Sequence, residues 1–143
     1  MKKNNKGFSL LELLIVVAII LIIATIAIPS LLRSRQAANE SAAVANLRTI
    51  NTAEVTYLSS SGGNYGNLPA LVAAGLLDNT FVSGPKAGYR FTVAATGTDY
   101  TANADPASPN TGRFGYYSTP DAVVRYSTQT TLAPAGQSGS AVQ

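Results

Sequence analysis

Hydrophobicity is segregated along the chain. From Leu13 to Ile28 the sequence reads LLIVVAIILIIATIAI, with no charge and one hydroxyl, apolar on every side of a helix. After Pro29 the residues from Ser30 to Leu58 contain neither Gly nor Pro, and the pattern narrows to one face. Val44, Leu47, Ile50 and Tyr57 share a stripe with Ala43 and Ala53 beside it, while Arg35, Asn39, Asn46 and Arg48 largely lie elsewhere. A helix apolar all round in its first half and on one face in its second suits a segment half in lipid and half laid on a folded domain. Pro29 lacks the N–H that the carbonyl of Thr25 would use, so the spacing predicts a kink inside one long helix rather than its end.

The remainder reads as short elements. Ser59-Ser60-Ser61-Gly62-Gly63-Asn64 stops the helix. Asn67-Leu68-Pro69 opens a short helix whose apolar side is Leu71, Val72, Leu76 and Leu77. Tyr89, Phe91 and Val93 then alternate with Arg90, Thr92 and Ala94. Thr96-Gly97-Thr98 makes a turn, and Asp99 to Asn103 returns. Phe114 and Tyr116, then Val124 and Tyr126, alternate in the same way around Pro120-Asp121. The expected fold is α+β, a long kinked amino-terminal helix packed on an antiparallel sheet of three or four strands. Residues 128–143, rich in Ser, Thr, Gly, Ala and Gln, read as a flexible tail.

Composition narrows the chemistry. The length of 143 residues fits one small domain besides the apolar segment, and only 12% of residues are charged. With no Cys there are no disulfides or thiolate ligands, and with no His the usual general base and commonest metal ligand are missing. No catalytic constellation, cofactor motif or nucleotide-binding loop is recognisable. Asp99, Asp105 and Asp121 fall in expected loops and could offer oxygen ligands, but their spacing is not that of a metal loop, so no metal is expected. The pI near 9.3 owes its excess charge to Lys2, Lys3 and Lys6; without them seven basic residues balance seven acidic ones. No basic stripe for nucleic acid remains.

Those three lysines precede the apolar run and would keep its amino end in the cytoplasm, placing the domain after Pro29 outside. The same segment could be a secretory signal cut near Thr25 and Ala27, a plain anchor, or a helix cut at its front edge. Glu12 bears on the choice, because a carboxylate inside a lipid segment is costly and a plain signal or anchor has no use for it.

Gly7-Phe8-Ser9-Leu10-Leu11-Glu12, behind a short Lys-rich leader and ahead of the apolar run and Pro29, resembles the amino-terminal signal of type IV pilins and the related pseudopilins. The resemblance is strong from Lys6 to Asn51. It implies that a prepilin peptidase cuts between Gly7 and Phe8, that the Phe8 amine is then N-methylated, and that Glu12 and Phe8 act together in assembly. It further implies a helical homopolymer, an inner-membrane platform, a cytoplasmic ATPase, and membrane lipid around the stored subunit. The chain then divides into a leader (1–7), a transmembrane and filament-core half-helix (8–32), an amphipathic half-helix (33–59), a globular part (60–127) and the tail (128–143).

The function implied is that of a structural subunit of an extracellular type IV pilus, held before assembly as a single-pass inner-membrane protein. The alternatives are a pseudopilin of a type II secretion system and, from a different class, a membrane-anchored binding module. The carboxyl-terminal Cys pair of many major pilins is absent.

Overall fold

The computed structural model describes residues 7–127 and 139–142. The leader residues 1–6, with Lys2, Lys3 and Lys6, lie outside that range, as do 128–138 and 143 of the expected tail. The chain divides into two compact units, one up to Ser34 and one from Arg35 onward. Helix α1, Leu10–Ser60, contributes to both and carries Pro29 in its interior without a break in helical assignment.

In the first unit every described side chain stands open except Ala24, which is half-buried. The large apolar side chains from Leu10 to Leu32 are therefore exposed among the described residues.

The second unit is built on the amphipathic part of α1. Glu40, Ala43, Val44, Leu47, Ile50, Asn51, Ala53 and Glu54 form its buried stripe, at the i, i+3, i+4 and i+7 spacing of one helical face. Helix α2, Leu68–Ala73, starts at Asn67, whose side chain accepts from the Ala70 N–H at 3.0 Å, and Pro69 occupies an early position where no donor is needed. A single 3-10 turn, Asn79–Phe81, follows, capped by Asp78.

The sheet has five strands rather than three or four. They are β1 (Tyr89–Ala95), β2 (Tyr100–Pro106), β3 (Gly115–Ser118), β4 (Arg125–Ser127) and β5 (Ser140–Ala141). Each pairs antiparallel with its successor in chain order, a simple meander. The β1–β2 hairpin is in register over its whole length, from Tyr89 opposite Pro106 to Ala95 opposite Tyr100. Gly97, at φ +72°, occupies its turn. The extra strand comes from the expected tail: Ser140 pairs with Tyr126 and Ala141 with Arg125, and the Val142 N–H donates to the Val124 carbonyl at 2.8 Å. Unpaired backbone groups on the β4 edge supply the reason, since they bond any extended segment brought alongside.

Tyr89 and Phe91 on β1, Tyr100, Ala102 and Ala104 on β2, and Tyr116 on β3 face the helix stripe and share one core with Leu47, Ile50, Leu71 and Phe81. Period-two alternation puts the aromatic residues of β1 and β2 on this face. Strand β3 departs from alternation, because Tyr116 and Tyr117 point to opposite faces and both are buried.

Polar side chains fasten α1 to the sheet and its loops. The β2–β3 loop is held by Gln36 donating to the Pro109 carbonyl and Asn39 donating to the Thr111 carbonyl. Within it, a Cβ on Gly112 would stand 2.0 Å from the Tyr89 hydroxyl oxygen, so only glycine fits.

Candidate amino-terminal processing and assembly site

Gly7, Phe8 and Ser9 precede the helix in non-helical conformation, and all three are exposed. Among the described residues nothing lies within 4 Å of a Cβ built on Gly7, and its φ is not positive. The fold therefore makes no demand for glycine at this position. Phe8 is 83% exposed, an aromatic side chain open to its surroundings among the described residues.

Ser9 and Glu12 start the helix. The Ser9 carbonyl accepts the first helical bond, from the Leu13 N–H at 3.2 Å. The Ser9 hydroxyl oxygen accepts from the Leu11 N–H at 3.3 Å, and the Ser9 N–H donates to Glu12 Oε2 at 2.9 Å. This reciprocal pair is a capping box, satisfying donors that a helix start leaves open. Glu12 also lies in the first turn, where the helix dipole favours an anion. The cost of a carboxylate in a lipid segment singles out Glu12 in the sequence but does not identify Ser9 as its partner. The Ser-x-x-Glu spacing before an apolar run was the available signal.

In this chain the Phe8 nitrogen is a peptide nitrogen, so it is not the ammonium group that the resemblance implies beside Glu12. Around Pro29, Thr25 turns its hydroxyl to the Ile22 carbonyl at 2.7 Å and Ser34 donates to the Ser30 carbonyl at 3.1 Å. The helix from Leu10 is long and apolar enough to cross a membrane, with mean hydropathy 3.1 in its most apolar window and none of that window buried.

The aspartates are used otherwise. Asp121 pairs with Arg125 at 2.5 Å and accepts from the Val123 N–H and the Thr119 hydroxyl, interactions that hold its carboxyl down at about 2. Asp99 accepts from the Tyr100 N–H. Asp105 lies within β2 and not in a loop, and burial pushes its carboxyl up. Among the described residues no group of three or more carboxylates is gathered as a metal site.

Two further carboxylates were not anticipated on the buried stripe. Glu40 accepts from the Arg113 backbone N–H at 2.8 Å and from its guanidinium at 3.0 and 2.8 Å. Burial raises the Glu40 pKa, but the three bonds from Arg113 outweigh it and leave the carboxyl below its usual range. Glu54 is fully buried and accepts the Gly66 N–H at 3.0 Å, its other oxygen having no partner among the described residues; burial dominates and raises its pKa. Between them Asn51 donates to the Ser118 hydroxyl at 2.8 Å and accepts from the Tyr100 hydroxyl at 2.9 Å. These groups are anchors between helix and sheet.

The prokaryotic N-terminal methylation motif matches residues 2–28. The chain is 40% identical over 74 residues to the type IV wide pilus major component PilA4 of Thermus thermophilus, covering 52% of this chain and 56% of that protein. It is 34% identical over 109 residues to the type IV major pilin protein PilA of Myxococcus xanthus, covering 76% of this chain and 47% of that one. The chain thus spans about half the length of these curated relatives. No solved structure matches it. The chain thus carries the prokaryotic N-terminal methylation motif at its start, and over part of its length it is similar to type IV pilins.

Proposed function

We propose that this protein is a structural subunit that polymerises into an extracellular type IV pilus. The observation that carries the reading is the open apolar surface of α1 from Leu10 to Leu32 beside a second unit whose core is closed. A surface of that kind needs lipid or sister helices around it. A single-pass membrane precursor, with its carboxyl-terminal domain outside, supplies the first. A bundle of the same helices in a filament supplies the second, through heterologous contacts that do not close on themselves.

Processing connects the two states. A prepilin peptidase cuts the Gly7–Phe8 bond, removing residues 1–7 and creating a positive amine on Phe8, which is then methylated. Residues 8–32 become the filament core and 33–59 the packing helix of the globular part. Glu12 then compensates the Phe8 amine of its own or a neighbouring subunit where little water remains. Pro29 provides a point at which the helix can kink to accommodate the bundle. An inner-membrane platform and a cytoplasmic ATPase drive extraction from the lipid.

Shearing cell surfaces, sedimenting the released material and sequencing its amino terminus tests the reading. The expected result is filaments whose subunit begins at methylated Phe8. A mature chain beginning at Met1 or at Ile28, retained in the membrane fraction, would refute it.

A further inference from the structure

The capping box has a consequence for the peptide bond two residues before the helix. We infer that Ser9 is a positioning residue for processing: by fixing the helix start with Glu12 it keeps the Gly7–Phe8 bond outside the helix, as extended chain a protease can grip. The inference rests on the proposed cleavage between Gly7 and Phe8.

In lipid, unsatisfied backbone donors are costly, so a helix that reaches the membrane boundary without a cap continues towards water rather than fraying. The next residue upstream with a capping side chain is Asn5, and a helix started there would wind Lys6, Gly7 and Phe8 into its first turn. Ser9 prevents this in two ways. Its hydroxyl accepts the Leu11 N–H, and its own N–H is given to Glu12 and so is not offered to an upstream carbonyl. The observed result is a non-helical, exposed Gly7-Phe8-Ser9 segment with open space around Gly7.

Hydrolysis of the Gly7–Phe8 amide consumes one water. The carbon–nitrogen bond breaks, Gly7 keeps the hydroxyl as a carboxylate, and the Phe8 nitrogen leaves as an amine that takes up the proton. The peptidase must reach both faces of that carbonyl. A carbonyl turned into a helical hydrogen bond presents neither.

The experiment uses the full-length precursor in membranes, with its peptidase, and follows the initial rate of cleavage. Ser9→Ala removes the acceptor and favours helix, and slows cleavage about fivefold, as expected for loss of a typical cap. Ser9→Thr and Ser9→Asn both keep a capping oxygen and are cut within about twofold of the wild-type rate. Asn lacks the hydroxyl, so its rescue separates capping from direct recognition of that group by the peptidase. Backbone chemical shifts of Gly7 and Phe8 in the micelle-bound precursor are extended in the wild type and move towards helical values in Ser9→Ala. Wild-type cleavage of Ser9→Ala, slow cleavage of Ser9→Asn, or unchanged shifts in Ser9→Ala overturns the inference. Amino-terminal sequencing of the processed wild type tests the cleavage site itself, independently of how the variants rank.

Discussion

Glu12→Gln separates the two tasks assigned to the carboxylate. Glutamine serves in a capping box as glutamate does, so its side-chain carbonyl still accepts the Ser9 N–H that Glu12 Oε2 accepts at 2.9 Å. The helix start is preserved, the cost of an ionised group in the lipid segment is removed, and abundance in the membrane is unchanged or slightly raised. In the filament the amide cannot neutralise the Phe8 amine. Removing one partner of a buried ion pair costs about 3 to 5 kcal/mol. At about 1.4 kcal/mol per tenfold, the concentration of subunit needed for polymerisation rises roughly a hundred- to several-thousand-fold. Cells expressing only this variant are sheared, and the released fraction is weighed and imaged, while the membrane fraction is sequenced. The expected outcome is normal cleavage after Gly7, normal membrane content and almost no filaments. Filaments in wild-type amount would show that the cap, and not the charge, is all that Glu12 provides.

Gly7→Val leaves the precursor uncut in the membrane, while the fold is unaltered because a Cβ there meets nothing within 4 Å; immunoblotting for the size shift and circular dichroism of the purified protein check the two halves. Gly112→Ala drives a methyl into the Tyr89 hydroxyl and lowers stability by about 1 to 3 kcal/mol, read by denaturant unfolding in detergent micelles. Glu40→Gln is less stable than the wild type at pH 7. The folded pKa of Glu40 is lowered, so its stabilisation is present above 4.5 and lost as pH falls through the folded value, and the gap to the variant closes on acidification. Glu54→Gln behaves oppositely. The folded pKa of Glu54 is raised, so the carboxyl's favourable contribution is complete below 4.5 and is lost as pH rises; the variant, which keeps an acceptor for the Gly66 N–H, gains on the wild type towards neutrality. A gap that closes on acidification for Glu54→Gln but widens for Glu40→Gln would reverse the sign argued for Glu40.

Periodicity carried the long helix and the first hairpin into view because each is decided locally. Val44, Leu47 and Ile50 bury one face of α1, and Tyr89 and Phe91 bury one face of β1, as their spacing alone requires. Glu40, Asn51 and Glu54 occupy the same face at the same spacing, yet a polar residue on an apolar stripe announces nothing until its partner is known. Those partners are Arg113, Ser118 with Tyr100, and Gly66, and the bonds to the first three close across 73, 67 and 49 residues. Strand β5 was hidden for a related reason: Ser140 and Ala141 have little strand preference, and the open edge of β4 decides their conformation.

At the amino terminus the relation between local and distant information is reversed. The Ser9–Glu12 box lies within four consecutive residues, whereas the assembly role proposed for Glu12 depends on an amine that an uncut chain does not have. One carboxylate can serve both, since a box occupies a single oxygen, Oε2, and leaves Oε1 for another donor. Cleavage at Phe8 would then add a charge beside an anion already held in place by Ser9, with no rearrangement of the helix start. On the proposed function the order of events would be the cap first, in the solitary precursor, and the ion pair second, once the leader is removed. A variant that keeps the cap and loses the charge therefore stalls after cleavage and before polymerisation, the step at which Glu12→Gln is expected to stop.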